Sequence, residues 1–416
     1  MKYNLIDLFA GCGGLLDGFM KTNFYNPVAS VEWEKDPLNN LKNRLRKKWN
    51  IKNVDEKCIL MDIQLTDQLF NGWTNDSKYP DNKGLDFLAN SVDNKIDIII
   101  GGPPCQAYSV AGRARDENNM KNDYRNFLFE SYLKVVKKYK PKVFIFENVP
   151  GILSAKPGDK KVTDLIYEEI EKIGYHITND LKKIALLDLS DFGVPQIRKR
   201  VIILGVNKSY FENPEEAVKN FYTIFLNKYK VCKKMTLSEA IGDLDKLFPL
   251  KEEINKKSHT ESSGKISNHS PRYHNKRDIM IFKELALDIE LGINKYKTAE
   301  AMNKLYFERT GNKTNVHRYH VLKKNEPSTT IIAHLNKDGW RFIHPDSNQA
   351  RSITVREAAR LQSFDDDFEF ISSQGANYKM IGNAVPPKFS FELAKAIYEF
   401  LKFYKLWGVF LWVEKM

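Results

Sequence analysis

Four short stretches of this chain combine reactive side chains with a backbone able to present them. The first is IIIGGPPCQAYS, Ile98–Ser109. An apolar strand ends in Gly-Gly-Pro-Pro and then offers Cys105. A lone cysteine is usually a small buried hydrophobe. This one follows the carboxyl end of a strand, where open α/β sheets bind ligands, and shares a polar loop with Gln106, Tyr108 and Ser109. A thiolate there is a nucleophile candidate. The second stretch, FIFENVPG, sets Glu147 at the end of another apolar strand. A carboxyl in such a place can serve as an acid, and its plainer role is to cap the next turn. The third, GVPQIRKRVIILG, puts Arg198 and Arg200 on one side by strand alternation. Arginines so placed can bind carbonyl oxygens or phosphates, or simply line a solvated edge.

The fourth stretch is DLFAGCGGLLDGF, directly after the first strand. Gly11, Gly13 and Gly14 allow a tight turn and a close backbone approach to a ligand at a helix N-terminus. The dinucleotide fingerprint GxGxxG would need glycine at 16, where Leu16 stands, so an NAD-dependent oxidoreductase fits poorly. Glu32 ends the second strand and can accept both ribose hydroxyls. Trp33 offers a stacking face, and Asp62, after the third strand, can receive an exocyclic amine. Strand-end carboxylates are often helix caps, but the glycine turn, Glu32 with Trp33, and Asp62 at three successive strand ends together point to an adenosine ligand.

The elements that carry these residues alternate. Strand candidates are Asn4–Phe9, Val28–Trp33, Cys58–Ile63, Lys95–Gly102, Lys142–Val149 and Arg200–Val206. Several are continuous apolar runs, as in strands buried on both faces of a parallel sheet. Helical patterns lie between them, including Arg125–Tyr139 and Lys161–Gly174. The alternation predicts an open doubly wound α/β sheet. From Asn207 to Ala350 the texture becomes polar, Lys-rich and aromatic, with Lys251–Asp278 reading as a long loop or inserted segment. From Arg351 helices resume: Thr354 with Glu357 forms a capping-box pattern, and Pro387–Tyr404 follows a Pro-Pro start.

Composition sets outer bounds. The 416 residues carry 65 Lys+Arg against 53 Asp+Glu, a formal charge of +12, with 42% hydrophobic residues. This excludes a disordered or collagen-like chain and favours a polyanionic partner. Residues 207–350 hold 25 Lys+Arg against 18 Asp+Glu, so most of the excess lies there. Four scattered cysteines and no CxxC pair exclude a disulfide framework and a zinc signature. Seven of the eight histidines fall between His259 and His344 without metal-ligand spacing, so no metal is expected, and His317 and His320 read as surface or nucleic-acid contacts. The apolar tail after Lys405 is far shorter than the roughly 20 residues a bilayer requires.

Taken in order, GxGG after the first strand, PPCQ, ENV, QxRxR, the run Arg351–Phe364 (RxxTxREAARLQxF) and YKMIGNAVPP resemble the bacterial carbon-5 cytosine-specific DNA methyltransferase family. The resemblance covers residues 1–206 and 351–400. Asp365 departs from it, since the family often has proline there. It implies a Rossmann-like, mostly parallel sheet. Residues 1–206 would form a catalytic and S-adenosylmethionine-binding domain, 207–350 a smaller target recognition domain, and 351–416 a segment completing the first. Cys105 would be the nucleophile, Glu147 would hold the cytosine ring nitrogen and exocyclic amine, and Arg200, supported by Arg198, would bind the base carbonyl. Phe9, Gly11, Gly13, Gly14, Glu32, Trp33, Asp62, Ile63, Pro104 and Asn383 would shape the S-adenosylmethionine pocket. Gln106 and Ser109, with the Gly112–Asn119 loop, would brace double-stranded DNA around an extruded base. The resemblance further implies a cytoplasmic, nucleoid-associated monomer working beside a restriction endonuclease. A transfer-RNA cytosine-5 methyltransferase and an inactive DNA-binding relative share parts of the pattern; the basic insert favours DNA, and the presence of Cys105, Glu147, Arg198 and Arg200 favours activity.

Overall fold

The computed structural model describes residues 2–103, 128–156, 160–254, 256–313, 319–337 and 339–414. The chain divides into two compact units. One comprises Met1–Phe192, Arg198–Cys232 and Val385–Met416; the other comprises Gly193–Ile197 and Lys233–Ala384. Residues 207–232 therefore pack with the first unit, and 351–384 with the second.

The first unit is built on a mixed sheet. Its strands are β1 (Tyr3–Leu8), β2 (Tyr25–Glu32), β3 (Cys58–Leu60), β4 (Ile98–Gly101), β5 (Val143–Asn148), β6 (Tyr175–His176), β7 (Leu186–Asp188) and β8 (Lys199–Asn207). They lie in the order β3-β2-β1-β4-β5-β8-β6, with β7 also on β8. Strands β1 to β5 are parallel, whereas β8 runs antiparallel to β5, β6 and β7. All six expected strands are present. Isoleucines 98–100 and the Val143–Ile145 run are fully buried, as strands covered on both faces must be.

Helices cover the sheet: α1 (Gly14–Lys21), α2 (Lys35–Lys47), α3 (Leu128–Tyr139), α4 (Val162–Lys172) and, at the carboxyl end, α9 (Pro387–Glu414). Helix α9 returns to pack on α1. Tyr25 Oη donates to the Ala394 carbonyl at 2.6 Å, and Phe24 stacks on Tyr398 at 3.8 Å. Behind α1, the Asp17 carboxylate accepts from Arg44 Nε at 2.7 Å and from Trp49 Nε1 at 2.9 Å, fixing α2 against α1.

The second unit contains a hairpin, β9 (Pro249–Ile254) and β10 (Lys257–His259), and the helices α5 (Lys276–Glu290), α6 (Ala299–Thr310), α7 (Val355–Leu361) and α8 (Gln374–Asn383). Ile281, Phe282 and Leu285 of α5 join Leu305, Tyr319 and Ile343 in its core. The expectation of one long loop over Lys251–Asp278 is corrected by the hairpin and by the start of α5. That stretch lacks large aliphatic residues because it buries polar ones: Ser258, His259, His269 and His274 are all interior. Each is satisfied by hydrogen bonds. His259 Nε2 bonds the Gln349 carbonyl at 3.0 Å, His269 Nδ1 bonds Thr354 Oγ1 at 2.9 Å, and His274 Nε2 bonds Ser352 Oγ at 3.1 Å. The capping box at Thr354 and Glu357 forms as the spacing predicts. Glu357 also takes both Arg351 Nη atoms at 2.7 Å, in a pair closed off from solvent.

Candidate active site

A parallel sheet that grows in both directions from one strand has a crevice where the order reverses, and ligands bind at the carboxyl ends there. In this sheet the reversal lies at β1, flanked by β2 on one side and β4 on the other. Leu8 pairs with Gly101, so the turn starting at Phe9 and the segment starting at Gly102 leave the sheet side by side.

The turn after β1 is left-handed at three residues: Phe9 (φ 57°), Gly11 (φ 56°) and Gly13 (φ 88°). Glycine adopts this conformation freely, whereas Phe9 is held there at a cost. Glu32, at the end of β2, holds the turn. Its Oε2 accepts from Gly11 N at 2.8 Å, and its Oε1 accepts from Trp33 N at 2.9 Å and Glu34 N at 2.8 Å. Burial pushes the Glu32 carboxyl up to about 7, against these backbone donors, which pull it down. Where a Cβ at Gly11 would stand there is open space to 4 Å. The Trp33 indole is 46% exposed beside it. Asp62, just past β3, is half-buried and accepts from Gln64 N at 3.0 Å, and Ile63 is buried. Phe9, Gly11, Gly13, Gly14, Glu32, Trp33, Asp62 and Ile63 thus follow the ends of three neighbouring strands.

One strand over, the ends of β4, β5 and β8 form a second cluster. Gly102 abuts Glu147: a Cβ at Gly102 would sit 2.7 Å from Glu147 Oε2. Arg200 Nε meets Glu147 Oε1 at 2.8 Å, with both side chains about one-eighth exposed. Arg200 Nη1 also donates to the Lys199 carbonyl at 2.7 Å. Asn148 Nδ2 reaches the Pro103 carbonyl at 3.4 Å, tying the ENV strand to the Gly-Gly-Pro segment. Arg198, by contrast, is fully buried at 1% exposure and lies away from solvent. Pro104, Cys105, Gln106 and Ser109, the Gly112–Asn119 loop and His317 fall outside the described residues. Asn383 ends α8 in the second unit, where Gln362 Nε2 donates to the Ile381 carbonyl at 2.9 Å.

Three features escaped the sequence reading. Arg200 is paired with Glu147 rather than free. Asn148 braces the segment before the cysteine. Asp7 lies buried in the middle of β1, and the one charged residue within NLIDLF was its signal. Among the other cysteines, burial pushes the Cys12 and Cys58 thiols up to about 12, which leaves both without nucleophilic thiolate at neutral pH.

Strand order, glycine turn and strand-end carboxylates define a Rossmann-like methyltransferase architecture. A family model described as C-5 cytosine-specific DNA methylase matches residues 3–399. The chain is 33% identical to the Type II methyltransferase M.Bpa9945I of Bacillus paralicheniformis, over 94% of this chain and 98% of that one. It is 30% identical to the Type II methyltransferase M.DdeI of Desulfomicrobium norvegicum, over 95% and 88%. Among solved structures, a protein assigned as a prophage-encoded DNA modification methyltransferase of E. coli shares the fold, with a TM-score of 0.61 at 22% identity, covering 96% of this chain and all of that one. The chain belongs to the C-5 cytosine-specific DNA methylase family, and it is an enzyme of the DNA (cytosine-5-)-methyltransferase class. Among the described residues, no helix is long and apolar enough to cross a membrane.

Proposed function

We propose that this enzyme methylates carbon 5 of a cytosine swung out of double-stranded DNA, using S-adenosylmethionine and a transient covalent bond to Cys105. The observation that carries the reading is the paired exit of the glycine turn from β1 and of Gly102 and Pro103, two residues before Cys105 in sequence, from β4, with the Glu147 carboxylate against Gly102.

The residues present fit the donor. Gly11 leaves room, Trp33 offers a face, Glu32 has acceptor capacity beyond its three backbone bonds, and neither oxygen of buried Asp7 has a hydrogen-bond partner among the described residues. When bound, S-adenosylmethionine supplies an electrophilic methyl group. The target carbon is too weak a nucleophile to take it unaided. The Cys105 thiolate adds to carbon 6, the carbon 5–carbon 6 π pair moves onto carbon 5, and carbon 5 takes the methyl group. Glu147 accepts from the exocyclic amine with one oxygen and, having taken up a proton, donates with the other to ring nitrogen 3, so that negative charge on the ring is met by a hydrogen-bond donor. Arg200 orients Glu147 through the 2.8 Å ion pair. A base then removes the carbon-5 proton, and the freed pair expels the thiolate.

The reacting edge of cytosine is closed off in a duplex, and swinging the base out costs a few kcal/mol. The basic stretch 207–350 would supply phosphate contacts and read base edges in the major groove. The Type II relatives support a protective role beside a cognate restriction endonuclease in the cytoplasm.

The test is bisulfite sequencing of DNA from cells expressing the wild type and Cys105→Ser. The wild type protects cytosines in one sequence context, and Cys105→Ser, folded to the same melting temperature, protects none. Methylation by the Cys105→Ser protein would overturn nucleophilic catalysis, and methylation of transfer RNA alone would overturn the DNA assignment.

A further inference from the structure

Asp7 is a carboxylic acid with no visible reason to be where it is. It lies in the middle of the parallel sheet, between Ser30 of β2 and Ile100 of β4, two residues before the left-handed turn begins. It is 1% exposed, and neither oxygen has a hydrogen-bond partner among the described residues. An unpartnered buried carboxylate is among the costliest groups a core can hold. The titratable groups around it are all acids. Glu32 of β2, Cys58 of β3 (in register with Asp7 across Ser30) and Tyr132 of α3 interact with it electrostatically. No cation among the described residues meets it.

Glu32 is its nearest competitor for a proton, and the hydrogen bonds decide between them. Glu32 accepts three backbone N–H groups, which favour its ionised form; Asp7 accepts none. Two close carboxyls cannot both ionise cheaply, so the proton rests on Asp7. The methyl donor is the natural cation for this place, since it carries a sulfonium and an ammonium and the glycine turn it would occupy starts two residues away.

We propose that Asp7 is protonated in the free enzyme and surrenders its proton when a cationic centre of the methyl donor settles at the glycine turn, so that donor binding is coupled to proton release. The inference rests on the reading that S-adenosylmethionine is the donor. Burial, and then the Glu32 carboxylate, both raise the pKa of Asp7 well above the ordinary aspartate range, in keeping with a neutral acid. A bound cation reverses that preference. Linkage then requires donor affinity to rise with pH, by up to about tenfold per pH unit for one proton. A buried carboxylate that forms only with the donor present also gives the site a means of preferring a charged ligand over a neutral one.

The test is isothermal titration of the full-length enzyme with S-adenosylmethionine and, separately, S-adenosylhomocysteine. Titrations run between pH 6 and 7, below the ordinary α-amino range, in two buffers of different ionisation enthalpy. The expected result is release of about one proton per donor bound. Release with S-adenosylmethionine alone assigns the sulfonium as the trigger; release with both assigns the ammonium, which the product retains. Asp7→Asn, a neutral isostere, should remove most of that release while the melting temperature stays near the wild-type value. If Asp7→Asn does not fold, the pH dependence of wild-type affinity decides the matter unaided. Donor binding with no proton exchange and a flat pH profile would overturn the coupling and leave the donor assignment standing. Failure of either ligand to bind would overturn the donor assignment and the coupling together.

Discussion

Gly102→Ala is the smallest change that probes the arrangement around Glu147. The added methyl group would stand 2.7 Å from Glu147 Oε2. Ordinary contact begins near 3.4 Å, so the carboxylate would have to retreat by about 0.7 Å. It cannot do so freely, because Arg200 Nε holds its other oxygen at 2.8 Å and Glu147 sits on a central strand between β4 and β8. A displacement approaching 1 Å of a group that must meet a ring nitrogen costs roughly 10²-fold in rate. That is about 2.7 kcal/mol in the barrier. The assay is transfer of tritiated methyl from the donor to duplex DNA under single-turnover conditions, with donor affinity measured in parallel. The rate should fall about a hundredfold while donor affinity stays unchanged, since the glycine turn is untouched. A Gly102→Ala enzyme that keeps its rate within about threefold, while a crystal structure shows Glu147 displaced, would refute the claim that the position of this carboxylate governs the reaction.

Two further predictions concern the second unit. Arg351→Met should lower the unfolding free energy by about 3–5 kcal/mol, because it strands Glu357 as a buried uncompensated charge. The melting temperature should drop on the order of 10 °C by calorimetry, and an unchanged value would show that the pair is dispensable. The buried histidines set a pH dependence. Burial pulls His259 and His344 down to about 4 and His274 to about 3, so all three are neutral in the fold and must take up protons on unfolding below their ordinary value near 6.5. Their contribution is therefore present above pH 6.5 and lost as the pH falls towards 4. Amide exchange in β10 and α7, corrected for intrinsic rates, should accelerate across that window, and constant protection would contradict it.

The first unit was largely legible because its strands are continuous apolar runs separated by helical repeats, and burial on both faces leaves that trace in composition. The direction of β8 was not, since Arg200–Val206 reads the same either way. It is the short strands β6 and β7, too brief to show a period, that bring it back antiparallel. In the second unit α5 carried a signal, with Asn275 capping a repeat of Ile281, Phe282 and Leu285, but its polar neighbourhood masked it. The hairpin and its buried histidines were hidden because hydrogen bonds, not aliphatic side chains, close that region. At the site, residue types marked Glu147 and Arg200 as functional candidates. Their mutual pairing depends on strand register between β5 and β8, which no local pattern encodes. Asp7 was passed over because a carboxylate inside a strand carries meaning only once its lack of partners is known.

The most direct test of covalent catalysis uses duplex DNA in which the target cytosine carries fluorine at carbon 5, since fluorine cannot be removed as a proton and the adduct is trapped. The enzyme should become linked to this DNA when S-adenosylmethionine is present, and mass spectrometry of the digest should place the bond on the peptide containing Cys105. A linkage on Cys12, Cys58 or Cys232, or methylated product with no linked species at all, would contradict the account.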